Sequence, residues 1–252
     1  MGKTREIMKP LQHAQISQKT YGGSWTDYIE IHNFLDSSKA ACAHSKHRFL
    51  LHHREGIELG VRFFGETFTN SENKTIETRR LLTDHLIEDV GRVVKVEDWA
   101  RDLLPDRGDS FYKFLAKKRG QIEAGEVPGE NELFDAFNLL EKDRAGVIKF
   151  LAFPLENSVH PAALLISHNS FAVFLAEKIL GCAFVKTNKD SKGDSPNNKF
   201  VAVREIFERV IFLRMKIIFS PAEIVARTAS EEWMRGTNAS KAQAEKKRLA
   251  MF

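Results

Sequence analysis

Residues His44–Phe68 read HSKHRFLLHHREGIELGVRFFGETF, and residues His160–Phe184 read HPAALLISHNSFAVFLAEKILGCAF. Set side by side about 116 positions apart, they pair His44 with His160, His52 with His168, Ile57 with Val173, Leu59 with Leu175, Gly65 with Gly181 and Phe68 with Phe184. A shared frame of histidine, apolar and glycine positions predicts two diverged copies of one helical unit in tandem. Apolar residues at helical spacing make each stretch a core-facing helix. Gly56 and Gly60 meet Ala172 and Ala176, so small residues recur four apart where a neighbouring helix would approach closely. Gly65 and Gly181 follow the periodic run, where a left-handed C-terminal cap favours glycine.

Working outward, Thr67–Ile76 reads as a short β-hairpin, and the matching connector, Lys186–Lys199, is longer by about eight residues. The frame then resumes at a spacing of about 124, which sets Arg80-Leu81-Leu82 against Arg204-Glu205-Ile206 and Leu86 against Val210. A short helix closes each copy, Val96–Leu103 and Pro221–Met234. Ser24–Lys39 is a helix upstream, with Ser24 and Asp27 resembling a capping box, and its counterpart lies within Asn131–Phe153. The expected fold class is mainly α: a tandem duplication of a helical unit, each copy with a short β-hairpin insertion. The expected domains are 1–106, a histidine-rich first repeat; 107–130, a bridging helix and linker; 131–236, a degenerate second repeat; and 237–252, a basic tail.

Composition narrows the classes. A chain of 252 residues with 42% hydrophobic and 29% charged residues is ordinary for a globular protein. No apolar run approaches a membrane span, and the N-terminus has no signal-peptide pattern. Cys42 and Cys182 are too few for a disulfide framework or a metal knuckle, so a cytoplasmic setting is expected. The net charge of +4 resides in residues 235–252, where five basic residues face only Glu245. Lys241, Lys246, Lys247 and Arg248 are therefore candidate contacts to nucleic acid or an acidic protein partner. Walker, GxGxxG, GxSxG, HExxH and paired CxxC patterns are missing from the sequence.

Seven of the nine histidines lie between His13 and His85. His32 and Asp36 stand four apart, as do His85 and Asp89, so each pair shares a helix face. Helices bringing imidazole and carboxylate to a common centre suit zinc, manganese or iron. The alignment sets His32 against Ile148, His47 against Ala163, His53 against Asn169, His85 against Arg209, and Glu88-Asp89 against Phe212-Leu213. His44 and His52, which recur, are read as scaffold imidazoles. His32, His47, His53, His85 and Asp89 belong to the first copy alone and are the candidate metal ligands. A metal-free network of histidines and carboxylates, or simple surface exposure, are the other readings of these five residues.

The first copy resembles a family of small histidine-rich phage and bacterial proteins without assigned activity. The resemblance is carried by Leu11-Gln12-His13-Ala14, Tyr28–Lys39 (YIEIHNFLDSSK), His47–His53, Phe64-Gly65, His85–Gly91 (HLIEDVG) and Asp98-Trp99, within residues 11–104. It implies a domain boundary and a phage or mobile-element setting, and no reaction. HLIED also resembles the metal-holding run of HD-type phosphohydrolases, except that Asp84-His85 has the reverse order.

Two functions follow. One is a metal-dependent phosphoester hydrolase acting on nucleotide or nucleic acid, with Glu88 or Asp36 as general base and Arg48 or Arg92 on the substrate phosphate. The other is a non-enzymatic accessory protein that docks on a protein or nucleic acid, its histidines and carboxylates forming a structural site.

Overall fold

The structure, a computed structural model, describes residues 8–42, 45–104, 108–186 and 200–228. His44, the hairpin connector between 187 and 199, the end of the helix expected to reach Met234, and the tail residues Lys241, Lys246, Lys247 and Arg248 lie outside the described residues. The chain divides into two compact units, one built on Met1–Leu103 with Thr228–Phe252 and one on Leu104–Arg227. Both are mainly helical, each with a small antiparallel two-stranded sheet. No helix among the described residues is long and apolar enough to cross a membrane.

In the first unit the order is α1 (Pro10–Tyr21), α2 (Ile29–Asp36), α3 (Arg54–Phe64), β1 (Thr67–Thr69), β2 (Thr75–Glu77), α4 (Thr78–Val90) and α5 (Val96–Leu103). The capping box at Ser24 and Asp27 is present, but it starts a 3-10 turn, Trp25–Asp27, ahead of α2. The expected hairpin forms, with Thr67 opposite Glu77 and Phe68 opposite Ile76. The core gathers Tyr28, Leu35, Phe49, Leu51, Leu81, Leu82, Leu86 and Trp99, all at most 1% exposed. The amphipathic stripes of α2, α3 and α4 converge on these side chains, and apolar burial holds the helices together.

The expected helix over His44–Phe68 is shorter than its periodicity suggests. Residues Ser45–Leu50 form a 3-10 turn and α3 begins only at Arg54. The reason is His53, whose extended backbone and ring nitrogen cap the helix by accepting from the Gly56 amide. Gly65 ends α3 at φ 87° and ψ 167°. That backbone is glycine-only territory, though it is not the left-handed helical cap expected from sequence.

The second unit contains α6 (Ser110–Glu123), α7 (Glu130–Phe137), α8 (Glu141–Glu156), α9 (Leu164–Ser167), α10 (Ser170–Leu180), β3 (Ala183–Val185), β4 (Phe200–Ala202), α11 (Val203–Met215) and α12 (Pro221–Thr228). The stretch expected as a bridge becomes α6, which packs within this unit. Its Leu115 is fully buried and Arg119 donates to the carbonyls of Leu155, Ser158 and His160.

The order helix, hairpin, helix, helix occurs in both units, with matching backbone bonds. Arg54 N–H donates to Val94 O as Ser170 N–H donates to Phe219 O, and Thr78 N–H to Glu66 O as Val203 N–H to Cys182 O. Up to the hairpin the spacing is 116, as between Arg54 and Ser170. Beyond it the spacing is 125, from Thr78 to Val203 and from Val90 to Met215. The sequence alignment at about 124 is therefore one residue out of register. A continuous helix offers no gap by which the eye can place an insertion that lies in the preceding connector. The corrected partners of His85, Glu88 and Asp89 are Val210, Leu213 and Arg214.

Gly56 and Gly60 face different neighbours. A Cβ at Gly56 would lie 2.0 Å from the Leu51 carbonyl oxygen, and one at Gly60 would lie 2.6 Å from Leu82 Cδ1. Gly120, inside α6, has nothing within 4 Å of the same position. We expect Gly56→Ala to destabilise the protein by at least about 2 kcal/mol through a backbone clash. Gly120→Ala is expected to stabilise it by about 0.5–1 kcal/mol through helix propensity. Urea denaturation followed by far-UV circular dichroism reads both signs.

Candidate metal centre

Three helices of the first unit each carry a polar pair four residues apart: His13 and Ser17 on α1, His32 and Asp36 on α2, His85 and Asp89 on α4. That spacing stacks both members on one face, and the three faces meet. The 3-10 turn and the residues after it add His47, Arg48 and His52. All of these side chains are buried, none more than 5% exposed. Trp99 of α5 fixes the last segment by donating from its indole to the His52 carbonyl at 2.8 Å.

Four of these residues place one ligand atom each within 4.8 Å of all the others: Asp36, His52, His85 and Asp89. His52 Nε2 lies 3.4 Å from Asp36 Oδ1, 3.3 Å from Asp89 Oδ2 and 3.3 Å from His85 Nε2. His85 Nε2 is 4.0 Å from Asp36 Oδ1 and 3.9 Å from Asp89 Oδ2. Donors bound at 2.0–2.2 Å around a tetrahedral zinc ion are separated by about 3.3–3.5 Å. The three edges at His52 match that size, and the two from His85 to the carboxylates are about half an ångström longer. Asp36 Oδ1 is also buried without a hydrogen-bond partner, because Lys39 holds only the other oxygen, at 2.6 Å. A carboxylate oxygen in that state is costly unless a cation answers it.

A second group within the same distance, His13, His32 and His85, is less suited to an ion. The three rings lie within 24° of parallel, and those of His13 and His85 stack at 4.0 Å. Imidazole lone pairs lie in the ring plane, so stacked rings do not aim at one point. His32 and His85 instead hydrogen-bond through their Nδ1 atoms at 2.9 Å, and His32 Nε2 reaches Ser17 Oγ at 2.9 Å.

The electrostatics follow from burial. Desolvation drives the His32 imidazole down to about 3 and His85 well below its ordinary value, with nearby His13 adding to both effects. Both are therefore neutral. Burial lowers His13 too, but hydrogen bonds and charge from Asp89 and Glu88 outweigh it and raise His13 to about 9. Burial pushes the Asp36 carboxyl up, yet His52 and Lys39 hold it below the usual range. Asp89 behaves likewise: its burial is overcome by His13, His52 and Arg48, which keep it ionised.

The structure sorts the residues singled out by sequence. It brings together His32, His85, Asp36 and Asp89. His47 borders the group, its Nδ1 bonded to Ser38 at 2.8 Å and its ring edge-on to His52. His53 does not join it, because Nδ1 accepts from Gly56 and Nε2 contacts the Leu50 carbonyl. Asn169 caps α10 in the same way, so the His53 to Asn169 difference preserves a cap rather than erasing a ligand. Arg48 is spent on Asp89 at 2.9 Å, Arg92 pairs at the surface with Asp98, and Glu88 pairs with His13 at 2.5 Å. His13 and His52 were not among the expected ligands. The four-residue spacing of His13 and Ser17 was the available signal for the first. His52 reads from sequence as a scaffold imidazole because it recurs as His168, yet recurrence reports a shared position without specifying its role.

That shared position has opposite charge in the second unit. Where His52 Nε2 lies 3.3 Å from Asp89, His168 Nε2 lies 3.4 Å from Arg214. Where α1 presents His13 to Asp89, α7 presents Glu130 to Arg214, in a bidentate pair at 2.9 and 2.6 Å. Ser167 donates to the Leu151 carbonyl and so accepts from His168 Nδ1. His160, like a scaffold imidazole, caps the turn after it by accepting from Ala162.

Residues 8–107 match the family model described as Domain of unknown function (DUF6915). The match encloses the histidine-rich stretch that carries the sequence resemblance. No curated protein and no solved structure matches the chain.

Arg214→Ala would leave Glu130 without its partner, and we expect a loss of about 3–5 kcal/mol by urea denaturation. Arg101→Ala, which breaks an exposed pair with Glu97, is expected to cost less than about 1 kcal/mol. Complete burial, and then Arg214, hold the His168 imidazole well below 6.5. The unfolded chain therefore takes up a proton that the folded unit refuses. This contribution is fully present above pH 6.5 and falls by about 1.4 kcal/mol per pH unit below it. His168→Gln should remove about one proton from the uptake on unfolding at pH 5.5; an unchanged stability slope between pH 6.5 and 5 in that variant would contradict the assignment.

Proposed function

We propose that the first unit holds one divalent transition-metal ion of the zinc class on Asp36, His52, His85 and Asp89, and that this ion is structural. The observation that carries the reading is the buried Oδ1 of Asp36, which accepts no hydrogen bond and lies 3.4 Å from His52 Nε2, within a group of four donors whose ligand atoms all lie within 4.8 Å of one another. Two imidazole nitrogens and two carboxylates are a donor set suited to zinc, with manganese and iron as competitors. Bound there, the ion would supply the charge that answers Asp36 and would join α2, α4 and the segment before α3.

The burial favours an accessory or binding protein over the hydrolase. Four protein donors complete a tetrahedral shell, whereas a catalytic ion keeps a position open to water. The four residues are 0–4% exposed, and the cations expected to hold a phosphate, Arg48 and Arg92, are engaged elsewhere. Under this reading the second unit is a diverged tandem copy in which the Glu130–Arg214 pair stands where the first uses His13 and Asp89. Docking on a nucleic acid or acidic protein, in the phage or mobile-element setting implied by the resemblance, would fall to the basic residues Lys241, Lys246, Lys247 and Arg248.

The test is elemental analysis of untagged protein purified without a metal-affinity column. One zinc-class ion per chain is expected, lost in Asp36→Ala and His85→Ala and retained in His53→Ala, which only weakens a helix cap. Chelation should lower the thermal midpoint of the wild type and leave that of His85→Ala unchanged. Well-folded wild type without stoichiometric metal would overturn the proposal.

A further inference from the structure

Beyond the four donors, a buried row of polar groups leads away from His85: its Nδ1 to His32 Nδ1 at 2.9 Å, then His32 Nε2 to Ser17 Oγ at 2.9 Å. The three residues come from α4, α2 and α1, and none is more than 3% exposed. Nothing in the four-donor set explains why a second histidine and a serine should be buried here. We infer that His32 is a positioning residue for the metal centre: its Nδ1 accepts a hydrogen bond from the Nδ1–H of His85, which leaves His85 Nε2 free as the ligand atom, and its own Nε2–H donates to Ser17 Oγ. This inference rests on the metal-centre reading.

Proton accounting makes the row directional. Two neutral imidazoles facing each other through Nδ1 share one proton, so one donates and the other accepts. If His32 donated, His85 would carry its proton on Nε2 and point it at His52, Asp36 and Asp89, blocking that nitrogen as a ligand. If His85 donates, Nε2 presents a lone pair to the centre. His32 must then carry its proton on Nε2, facing a hydroxyl oxygen that accepts it. The order of protons in the row and the ligating atom of His85 are thus one variable. A hydrogen bond to the outer nitrogen of a ligating histidine fixes ring orientation and strengthens the ligand, and removing it typically costs 10–100-fold in metal affinity.

The experiment titrates zinc and cobalt(II) into metal-stripped full-length protein and its variants. His32→Leu keeps apolar volume but cannot accept a proton; its zinc affinity should fall 10–100-fold and the visible spectrum of its cobalt form should change. Ser17→Ala, which leaves both imidazoles in place, should weaken binding by up to about tenfold and serves if His32→Leu does not fold. His32→Gln offers a carbonyl to His85 and an amide to Ser17, so it should recover most of the affinity, which a merely space-filling role would not predict. Nitrogen-15 spectra of the zinc form should show His85 bound through Nε2 with Nδ1 protonated. Zinc-binding wild type in which His32→Leu and Ser17→Ala change neither affinity nor spectrum, or in which His85 binds through Nδ1, overturns the relay alone. Wild type that binds neither metal overturns the relay together with the metal-centre reading.

Discussion

A carboxylate removed from water must be answered by donors or cations, and in the first unit the side chain of Asp89 imposes that demand on its surroundings. Its oxygens are met by His13 from α1, by Arg48 from the 3-10 turn and by His52 from the segment before α3. The last two segments are irregular, and a 12-residue helix such as α1 is marginal on its own, so none would hold its position through helix propensity alone. Asp36 repeats the demand from α2, with Lys39 on one oxygen and the candidate ion site at the other. The arrangement of α1, α2 and α4 thus follows from apolar burial in its general form and from two carboxylates in its detail.

The second unit meets the same geometric problem with the signs exchanged. Arg214 stands at the position of Asp89, and Glu130 on α7 faces it much as His13 on α1 faces Asp89. A guanidinium held by both oxygens of one carboxylate is self-contained, with two parallel bonds and no charge left over. The imidazole common to both units, His52 or His168, lies beside whichever charge occupies this place. Among the described residues, the buried carboxylate oxygen that accepts no hydrogen bond, Asp36 Oδ1, lies in the first unit.

Closure of the centre also governs what it can do. An ion held by four protein donors would cross-link the segments that carry them, and the groups around those donors would act on orientation more than on reactivity. His13 and His32 flank His85 with their rings within 24° of parallel, so they pack against a donor of the four-residue group without aiming their own lone pairs at its centre.

Much of this was legible in the sequence. Periodicity and punctuation gave the two hairpin-linked helix pairs, the span of α5, the capping box at Ser24 and the histidine-rich domain, because these depend on neighbours a few residues apart. The pairs His32/Asp36 and His85/Asp89 were legible for the same reason: four residues make one helical turn. The end of α3 was obscured because His53 reads as a ligand until its backbone is seen to be extended and its ring to cap a helix. The register of α11 was obscured because a length change in a connector shifts every later partner, and only the backbone bonds show that Asp89 answers to Arg214. What the sequence determined by itself was the set of helices and the faces that carry imidazole and carboxylate. Which faces meet, with His13 and His52 brought in and His53 and Arg92 left out, was decided by tertiary packing, since convergence of side chains from four separated segments depends on burial and charge balance that no local spacing encodes.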